Sequence, residues 1–158
     1  MVTLYYLVLG TLKESYWKEA EAEYLKRLKP LVRIETIELR EESFGDKDNV
    51  DRIREKEAAK IMMALKKIPH PYIIALDERG SEYTSVAFAQ FLKKIMDTET
   101  SLVFIIGGPR GLDKTITHHA RTTIALSKFT FTHHMARIIL TEQIYRSLMI
   151  IQGRTYHY

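Results

Sequence analysis

Short apolar runs alternate along the chain with longer stretches in which apolar residues recur every three or four positions. Continuous runs at residues 3–9, 72–77 and 102–106 are typical of buried strands. Residues 32–39 alternate between apolar and polar, as a half-buried strand does, and a shorter run follows at residues 122–126. The pattern therefore predicts five strands.

The stretches between and after these runs predict helices. The predicted helices span residues 14–28, 49–67, 85–96, 114–120 and 133–152. Asn49 and Thr132 are suited to cap the second and the last of them, and Gly153 suits the final C-terminal stop. Strands that alternate with helices indicate the α/β class, with a parallel sheet covered by helices on both faces. No linker or repeat divides the chain, so we expect one domain over residues 1–158.

Three loops with unusual composition follow the last three predicted strands. They read LDERG at residues 76–80, GGPRG at residues 107–111 and SKFTFT at residues 127–132. In open parallel sheets, ligands bind in the crevice beyond the carboxyl ends of the strands. We therefore expect all three loops to face one pocket.

The glycine loop invites comparison with a phosphate-binding loop. The stretch GPRGLDKT from Gly108 comes within one residue of that motif, with Lys114 and Thr115 in the lysine and hydroxyl positions. Asp113 stands where the motif needs its second glycine, and its carboxylate would repel a phosphate. This mismatch argues against a nucleoside triphosphate site. On the loop alone, the alternative that the glycines merely end a buried strand stays open.

The overall composition is that of a globular protein, with 46% hydrophobic and 28% charged residues in 158. There are 0 cysteines, which excludes disulfides, cysteine nucleophiles and thiolate metal sites. The opening MVTLYYLVLG lacks the basic start of a signal peptide, and its apolar run is too short to span a membrane. We expect a cytoplasmic protein without membrane association.

Charge is distributed unevenly along the chain. Residues 1–100 carry 17 Lys and Arg against 18 Asp and Glu, whereas residues 101–158 carry 7 against 2. A basic C-terminal third fits a surface that meets nucleic acid phosphates. A basic face that is merely solvated explains the same counts, so charge alone leaves both interpretations open.

Two histidine pairs raise the question of a metal site. The pairs are His118–His119 and His133–His134. Adjacent residues of a helix point in different directions, and neither pair has the HxxxH spacing that places two imidazoles on one face. We expect no metal.

Four motifs taken together resemble a known family. LDERG, FIIGGPRGL, LSKFTFTHHMARIILTEQIYRS and a terminal YH follow one another in an order similar to that of the ribosomal RNA large subunit methyltransferase H family, a minimal SPOUT class. The resemblance implies a C-terminal deep trefoil knot, a homodimer and S-adenosylmethionine as cofactor, with no metal. It also implies methylation at N3 of pseudouridine 1915 of 23S rRNA in the ribosome, with no DNA partner.

The resemblance also places cofactor contacts on the three loops. The implied cofactor-binding residues are Leu76, Gly108, Ser127, Lys128, Phe129, Thr130, Phe131 and Thr132. Small residues let the backbone approach adenine and ribose, and apolar side chains such as Leu76 and Phe131 can flank the ring. The chain departs from the family at Thr132, where proline is usual, and at Tyr158, where a basic residue is common.

The tail RTYHY offers chemistry for the methyl acceptor. Methyl transfer needs positioning and partial deprotonation of N3. Arg154 would favour the imide anion, Tyr156 would stack on a flipped base and His157 would accept the proton, so these three are the predicted catalytic residues. The alternative is that the aromatic residues pin the tail against the dimer partner.

Two other functions fit parts of the sequence. A catalytically inert RNA-binding module would keep the basic C-terminal third but would not need intact GGPRG and SKFTFT loops. A knotted tRNA methyltransferase would share the fold, but this chain has no appended RNA-binding domain. Both remain alternatives to the rRNA methyltransferase.

Overall fold

Strands and helices alternate from one end of the chain to the other in the computed structural model, which describes residues 1–156. The strands are β1 (Thr3–Leu9), β2 (Arg33–Leu39), β3 (Tyr72–Ser81), β4 (Ser101–Ile106) and β5 (Thr122–Ile124). The helices are α1 (Ser15–Leu28), α2 (Val50–Leu65), α3 (Ser85–Met96), α4 (Lys114–His119) and α5 (His133–Ile151).

All five strands pair in parallel, in the order β2-β1-β4-β3-β5. Every residue of the central strand β4 is buried. Because successive strand residues point to opposite faces, the sheet feeds two cores. One core packs Tyr6 and Phe104 beneath α1, α3 and α5, and the other packs Leu7 and Ile105 beneath α2 and α4. The predicted α/β class, with helices on both faces, is confirmed.

β2 and β4 begin one residue from their predicted starts, and two strand ends differ by more than one residue. β3 continues to Ser81, beyond the predicted residues 72–77, because Leu76 and Ser81 both pair with Ile124 and the ladder shifts register between them. Residues 77–80 therefore leave the ladder and return to it. β5 ends at Ile124, before the predicted residue 126, although Ala125 still donates its backbone N–H to the Ser81 carbonyl at 2.9 Å. Because residues 77–80 (DERG) are polar, hydrophobic periodicity does not show that the strand resumes after them.

Gly80 closes this excursion where β3 and β5 come together. A Cβ atom at Gly80 would lie 2.6 Å from the Ile124 carbonyl carbon and 2.7 Å from the Ile124 nitrogen. Because these are backbone atoms of a paired strand, they cannot rotate away. We expect Gly80→Ala to lower the free energy of unfolding by about 2–3 kcal/mol, measured by urea denaturation. Gly45→Ala, where the nearest atom lies 3.8 Å away, is the control, and equal stability of the two variants would contradict the close approach.

The predicted caps Asn49 and Thr132 and the stop at Gly153 are confirmed, although α2 ends at Leu65, before the predicted residue 67. The Asn49 side chain accepts a hydrogen bond from the Asp51 N–H at 3.0 Å, and the Thr132 hydroxyl accepts one from the Met135 N–H at 3.3 Å. Gly153 follows α5 with a φ of +67°, a conformation that glycine adopts without strain. Asp113, the residue that departs from the phosphate-binding motif, caps α4: its carboxylate accepts a hydrogen bond from the Thr115 N–H at 2.9 Å.

A buried ion pair joins the first helix to the last. Glu21 and Arg137 are only 8% and 5% exposed, and the Arg137 Nη2 donates to the Glu21 carboxylate at 2.8 Å. Arg137 Nη1 also lies 3.6 Å from the Glu38 carboxylate, and the Thr141 hydroxyl donates to the Arg137 carbonyl at 2.7 Å. These contacts fix α5 against α1 and the edge of the sheet.

Helix α5 is the longest helix in the described part of the chain, with 19 residues, and therefore spans about 28 Å. Apolar side chains occur around its whole circumference, and Met135, Ile138 and Ile150 remain partly exposed. Across residues 1–156, no helix combines the length and the hydrophobicity needed to cross a bilayer. The predicted knot and the extent of the single domain stay predictions.

Candidate functional site

A cavity of about 1130 Å³ opens at the carboxyl ends of β3, β4 and β5, beside the N-terminus of α5. The loops LDERG, GGPRG and SKFTFT all contribute to its walls, as the parallel topology predicts. Seven of the eight predicted cofactor-binding residues line it: Leu76, Gly108, Ser127, Phe129, Thr130, Phe131 and Thr132. Lys128 is exposed and is not part of the lining. The structure thus brings these residues together, while their roles stay predictions.

The glycine loop presents backbone to the cavity. Gly111 has a φ of +77°, and its N–H donates to the Gly108 carbonyl at 3.0 Å, which closes a tight turn. A Cβ atom at Gly107 would lie 3.0 Å from the carbonyl carbon of Gly111. The loop therefore needs glycine for its own packing, and its peptide groups can approach a ligand closely.

The SKFTFT loop presents aromatic surface. Phe129 is 80% exposed and Phe131 is 37% exposed, although both line the cavity. The Ser127 hydroxyl accepts a hydrogen bond from the Phe129 N–H at 3.0 Å, and Thr130 lies within 3.4 Å of the Glu78 carboxylate. Exposed aromatic rings on a loop that its own hydrogen bonds hold in place suit contact with a planar ligand.

The LDERG loop contributes charge. Arg79 forms hydrogen bonds to both carboxylate oxygens of Asp77, at 3.0 and 3.1 Å, and these bonds hold the pKa of Asp77 below its usual range. Asp77 and Glu78 line the cavity together with Arg79. The pair fixes the excursion of β3 and keeps a carboxylate ionised beside the cavity.

Sequence patterns did not point to Arg54 or to the segment before α2, yet both reach the site. The Arg54 Nε donates to the Arg110 carbonyl at 2.6 Å, and the Arg110 guanidinium lies 4.3 Å above the centre of the Phe44 ring. The tip of the glycine loop is therefore held from two sides. Arg54 is one residue after the apolar position Ile53, so its place on α2 is readable from sequence but its contact is not.

His133 and Glu41 lie close together next to Gly10, the residue that follows β1. The His133 Nε2 and the Glu41 Oε2 lie 3.7 Å apart, and both atoms are buried without a hydrogen-bond partner among residues 1–156. Both come close to Gly10, the corner that ends β1. His133 itself lines the cavity, and its ring centre lies 4.0 Å from that of His134.

Burial affects the ionisation of this region. Desolvation, with a smaller contribution from His134, lowers the pKa of His133, whereas Glu41 acts in the opposite direction. The lowered pKa of His133 favours its neutral imidazole form at neutral pH. Burial also raises the pKa of Glu57, whose carboxylate accepts a hydrogen bond from the Glu42 N–H at 3.1 Å beside Gly108.

The predicted tail residues lie at the other end of α5. Tyr156 packs edge-on against Tyr145 with ring centres 4.7 Å apart, and the Arg146 guanidinium lies 4.9 Å from the Tyr156 ring. Since the cavity is at the start of α5, about 28 Å of helix separates it from Arg154 and Tyr156 of the same subunit. His157 and Tyr158 lie outside the described residues. The structure thus does not bring Arg154 or Tyr156 to the cavity of their own subunit.

Glu142 and Arg146 form an ion pair one turn apart on α5, with Nη2 and Oε1 2.7 Å apart. Over residues 1–156, no three His, Asp or Glu side chains are arranged to hold a metal ion.

Comparisons with known proteins agree with the resemblance. The sequence profile of the family described as "Predicted SPOUT methyltransferase" matches residues 2–157. The chain is 40% identical over 151 residues to the ribosomal RNA large subunit methyltransferase H of Caldicellulosiruptor saccharolyticus, covering 96% of this chain and 97% of that protein.

A solved structure shares the fold at low sequence identity. It is described as "a probable methylase family protein" from Haemophilus influenzae Rd KW20, and it matches 98% of this chain and 70% of its own with a TM-score of 0.56 and 9% identity. The profile match and the 40% identical relative show that the protein belongs to the SPOUT methyltransferase family.

Proposed function

We propose that this methyltransferase transfers the methyl group of S-adenosylmethionine to N3 of a pseudouridine in the large-subunit rRNA, at position 1915, within the assembled ribosome. The name of the Caldicellulosiruptor relative supports the large-subunit rRNA as substrate. The family resemblance supports the choice of base and atom. The observation that carries the proposal is the cavity at three strand ends, lined by the loops on which the resemblance places the cofactor.

One side of the lining suits the positive charge of this cofactor. S-adenosylmethionine carries positive charge on its sulfonium and ammonium groups and has no phosphate. Asp77 and Glu78 line the cavity on this side, and carboxylates favour a cation. The volume, about 1130 Å³, accommodates a ligand of this size with room for a base.

Each loop has a defined part in holding the cofactor. The peptide groups of Gly107 and Gly108 would meet its ribose and adenine, and Leu76 and Phe131 would flank the ring. The bound cofactor supplies an electrophilic methyl group on sulfur. The protein has to position N3 in line with that methyl and to remove the N3 proton.

The RNA side of the cavity is basic. Arg54, Arg79 and Arg110 line it, and the C-terminal third carries the excess of Lys and Arg. These arginines would meet the phosphates around the target base, so binding of ribosomes should weaken steeply with salt. An rRNA substrate also places the protein in the cytoplasm.

A homodimer would complete the site. The apolar circumference of α5, with Met135, Ile138 and Ile150 partly exposed, fits a second copy of the same helix. Because α5 holds the tail about 28 Å from the cavity of its own subunit, Arg154, Tyr156 and His157 would serve the cavity of the partner.

The proposal is tested by transfer of labelled methyl groups to ribosomes that lack the modification. Free rRNA, separated subunits and tRNA are assayed in parallel. We expect labelling only of assembled ribosomes, at one pseudouridine mapped by mass spectrometry. Labelling of tRNA instead would establish a tRNA methyltransferase. Absence of labelling together with absence of cofactor binding would leave an RNA-binding module.

Leu76 offers a direct test of the cofactor pocket. It is half-buried at the end of the regular part of β3, so an arginine there can reach solvent while it fills part of the cavity. We expect Leu76→Arg to weaken binding of S-adenosylhomocysteine at least about tenfold, measured by calorimetry. Val86→Arg, at a position 42% exposed on α3, is the control and should bind normally. Equal affinities would place the cofactor elsewhere.

A further inference from the structure

His133 and Glu41 form a pair that the proposed function does not yet use. Their facing atoms, Nε2 and Oε2, are both buried, lie 3.7 Å apart and have no hydrogen-bond partner among residues 1–156. At 3.7 Å the two atoms form no hydrogen bond while the ring is neutral, but the carboxylate is placed to pair with the imidazolium that forms when the ring gains a proton. Two different segments supply them: Glu41 follows β2, and His133 begins α5.

The arrangement leaves one ring nitrogen for a ligand. When Nε2 carries the proton and faces Glu41, Nδ1 is unprotonated and accepts hydrogen bonds. His133 follows directly on the SKFTFT loop and lines the same cavity as Ser127 and Phe131. The ring that carries this acceptor nitrogen thus lies next to the loop on which the cofactor is expected.

We propose that His133 accepts the N3 proton of the methyl acceptor and that Glu41 is its positioning residue. This inference rests on the proposed function. In the step, the N3–H bond breaks and its electron pair stays on N3, while the proton moves to Nδ1 of His133. N3 forms a bond to the methyl carbon, and the carbon–sulfur pair goes to sulfur, which leaves a neutral thioether. The imidazolium that results is stabilised by the Glu41 carboxylate.

The charges around His133 agree with this role. Burial and His134 lower the pKa of His133, so the ring is neutral and ready to accept a proton at neutral pH. Glu41 faces it from the segment after β2, and Glu57 and Glu42 lie on the far side of Glu41. Trp17 of α1 covers His134, with ring centres 6.4 Å apart. The Glu41 carboxylate favours the imidazolium once it forms, while Lys60 pairs with Glu42 at 2.7 Å.

In this proposal His133, and not His157, accepts the proton. His133 belongs to the cavity of its own subunit, whereas the tail begins at the far end of α5. The tail therefore serves to stack and orient the base in this proposal, and the proton goes to a group that is fixed beside the cofactor loop.

The experiment compares His133→Gln, Glu41→Gln and the matched control His118→Gln, an exposed histidine on α4. Single-turnover methyl transfer to ribosomes is measured between pH 5 and 9, and S-adenosylhomocysteine binding is measured by calorimetry. The titration of each histidine in the free protein is followed by NMR of ¹³C-labelled imidazoles. We expect His133→Gln to slow transfer about 100-fold or more, with the affinity for S-adenosylhomocysteine within about threefold of wild type.

The pH dependence gives the second readout. A protonated imidazole cannot act as a base, so wild-type transfer should fall as the pH drops through the pKa of His133. This pKa lies below the ordinary value for histidine. Glu41→Gln removes a charge that favours the imidazolium, so both the NMR titration of His133 and the acid limb should move to lower pH. A structural role for Glu41 would leave both unchanged.

The results distinguish a failure of this inference from a failure of the proposed function. If wild-type protein transfers methyl groups but His133→Gln does so within about threefold of it, or if Glu41→Gln moves neither the titration nor the acid limb, the inference is wrong and the proposed function stands. If wild-type protein labels no rRNA, the proposed function fails and the inference fails with it. His118→Gln should match wild type throughout.

Discussion

A chain that ends at Gly153 is expected to bind S-adenosylhomocysteine as the full chain does, but to methylate ribosomes about a thousandfold more slowly. The cavity lies at the start of α5, so loss of the tail leaves the cofactor site of the same subunit intact. Transfer depends on positioning of the base, and Arg154, Tyr156 and His157 are the residues proposed to provide it. Calorimetry and single-turnover labelling separate the two effects.

Mixed dimers decide which subunit the tail serves. The truncated chain keeps a cavity but lacks a tail, and the Leu76→Arg chain keeps a tail but lacks a working cavity. If tails act across the dimer, refolding an equal mixture gives hybrid dimers with one complete site each. Random pairing then restores about one quarter of wild-type activity. If the mixture stays as inactive as its two components, the tail does not act across the interface.

Arg137→Ala is expected to lower the free energy of unfolding by about 3–5 kcal/mol. Arg137 is 5% exposed, and its removal leaves the carboxylate of Glu21, 8% exposed, without its bidentate partner. The unfolded chain hydrates that carboxylate, but the folded protein cannot. Urea denaturation measures the loss.

The matched variants separate the cost of an unpaired charge from the value of the pair. Replacing both residues, Glu21→Met with Arg137→Met, should recover most of the stability because apolar side chains of similar length fill the same space. Arg27→Ala breaks the exposed Arg27–Glu23 pair and should leave the urea midpoint nearly unchanged. If Arg137→Ala behaves like Arg27→Ala, the buried pair contributes nothing specific.

Most elements of the fold could be predicted from hydrophobic periodicity. Helix caps such as Asn49 and Thr132 were predictable because their side chains act on the next few residues. The continuation of β3 to Ser81 was not, because residues 77–80 are polar and leave the ladder. The strand order β2-β1-β4-β3-β5 could not be predicted either, because the apolar run of a strand does not show which strand it pairs with.

The site was predictable to a similar extent. Residues of the three loops met at one cavity because parallel strands end at the same edge of the sheet. The contacts of Glu21 and Glu41 could not be predicted, because the partner of each lies far along the chain. The separation of the tail from the cavity was readable, because a helix of 19 residues fixes the distance between its ends.

The position of β4 has a consequence for synthesis of the protein. β4 lies between β1 and β3, so β3 emerges from the ribosome before either of its neighbours in the sheet, β4 and β5. At about 5–20 residues per second, the roughly 20 residues between β3 and β4 take about one to four seconds to follow, and during this time Ile73 and Ile74 have no strand to pair with. A nascent chain from which β3 but not β4 has emerged therefore exposes a strand that is prone to aggregate, and we expect chaperones to bind it at that stage.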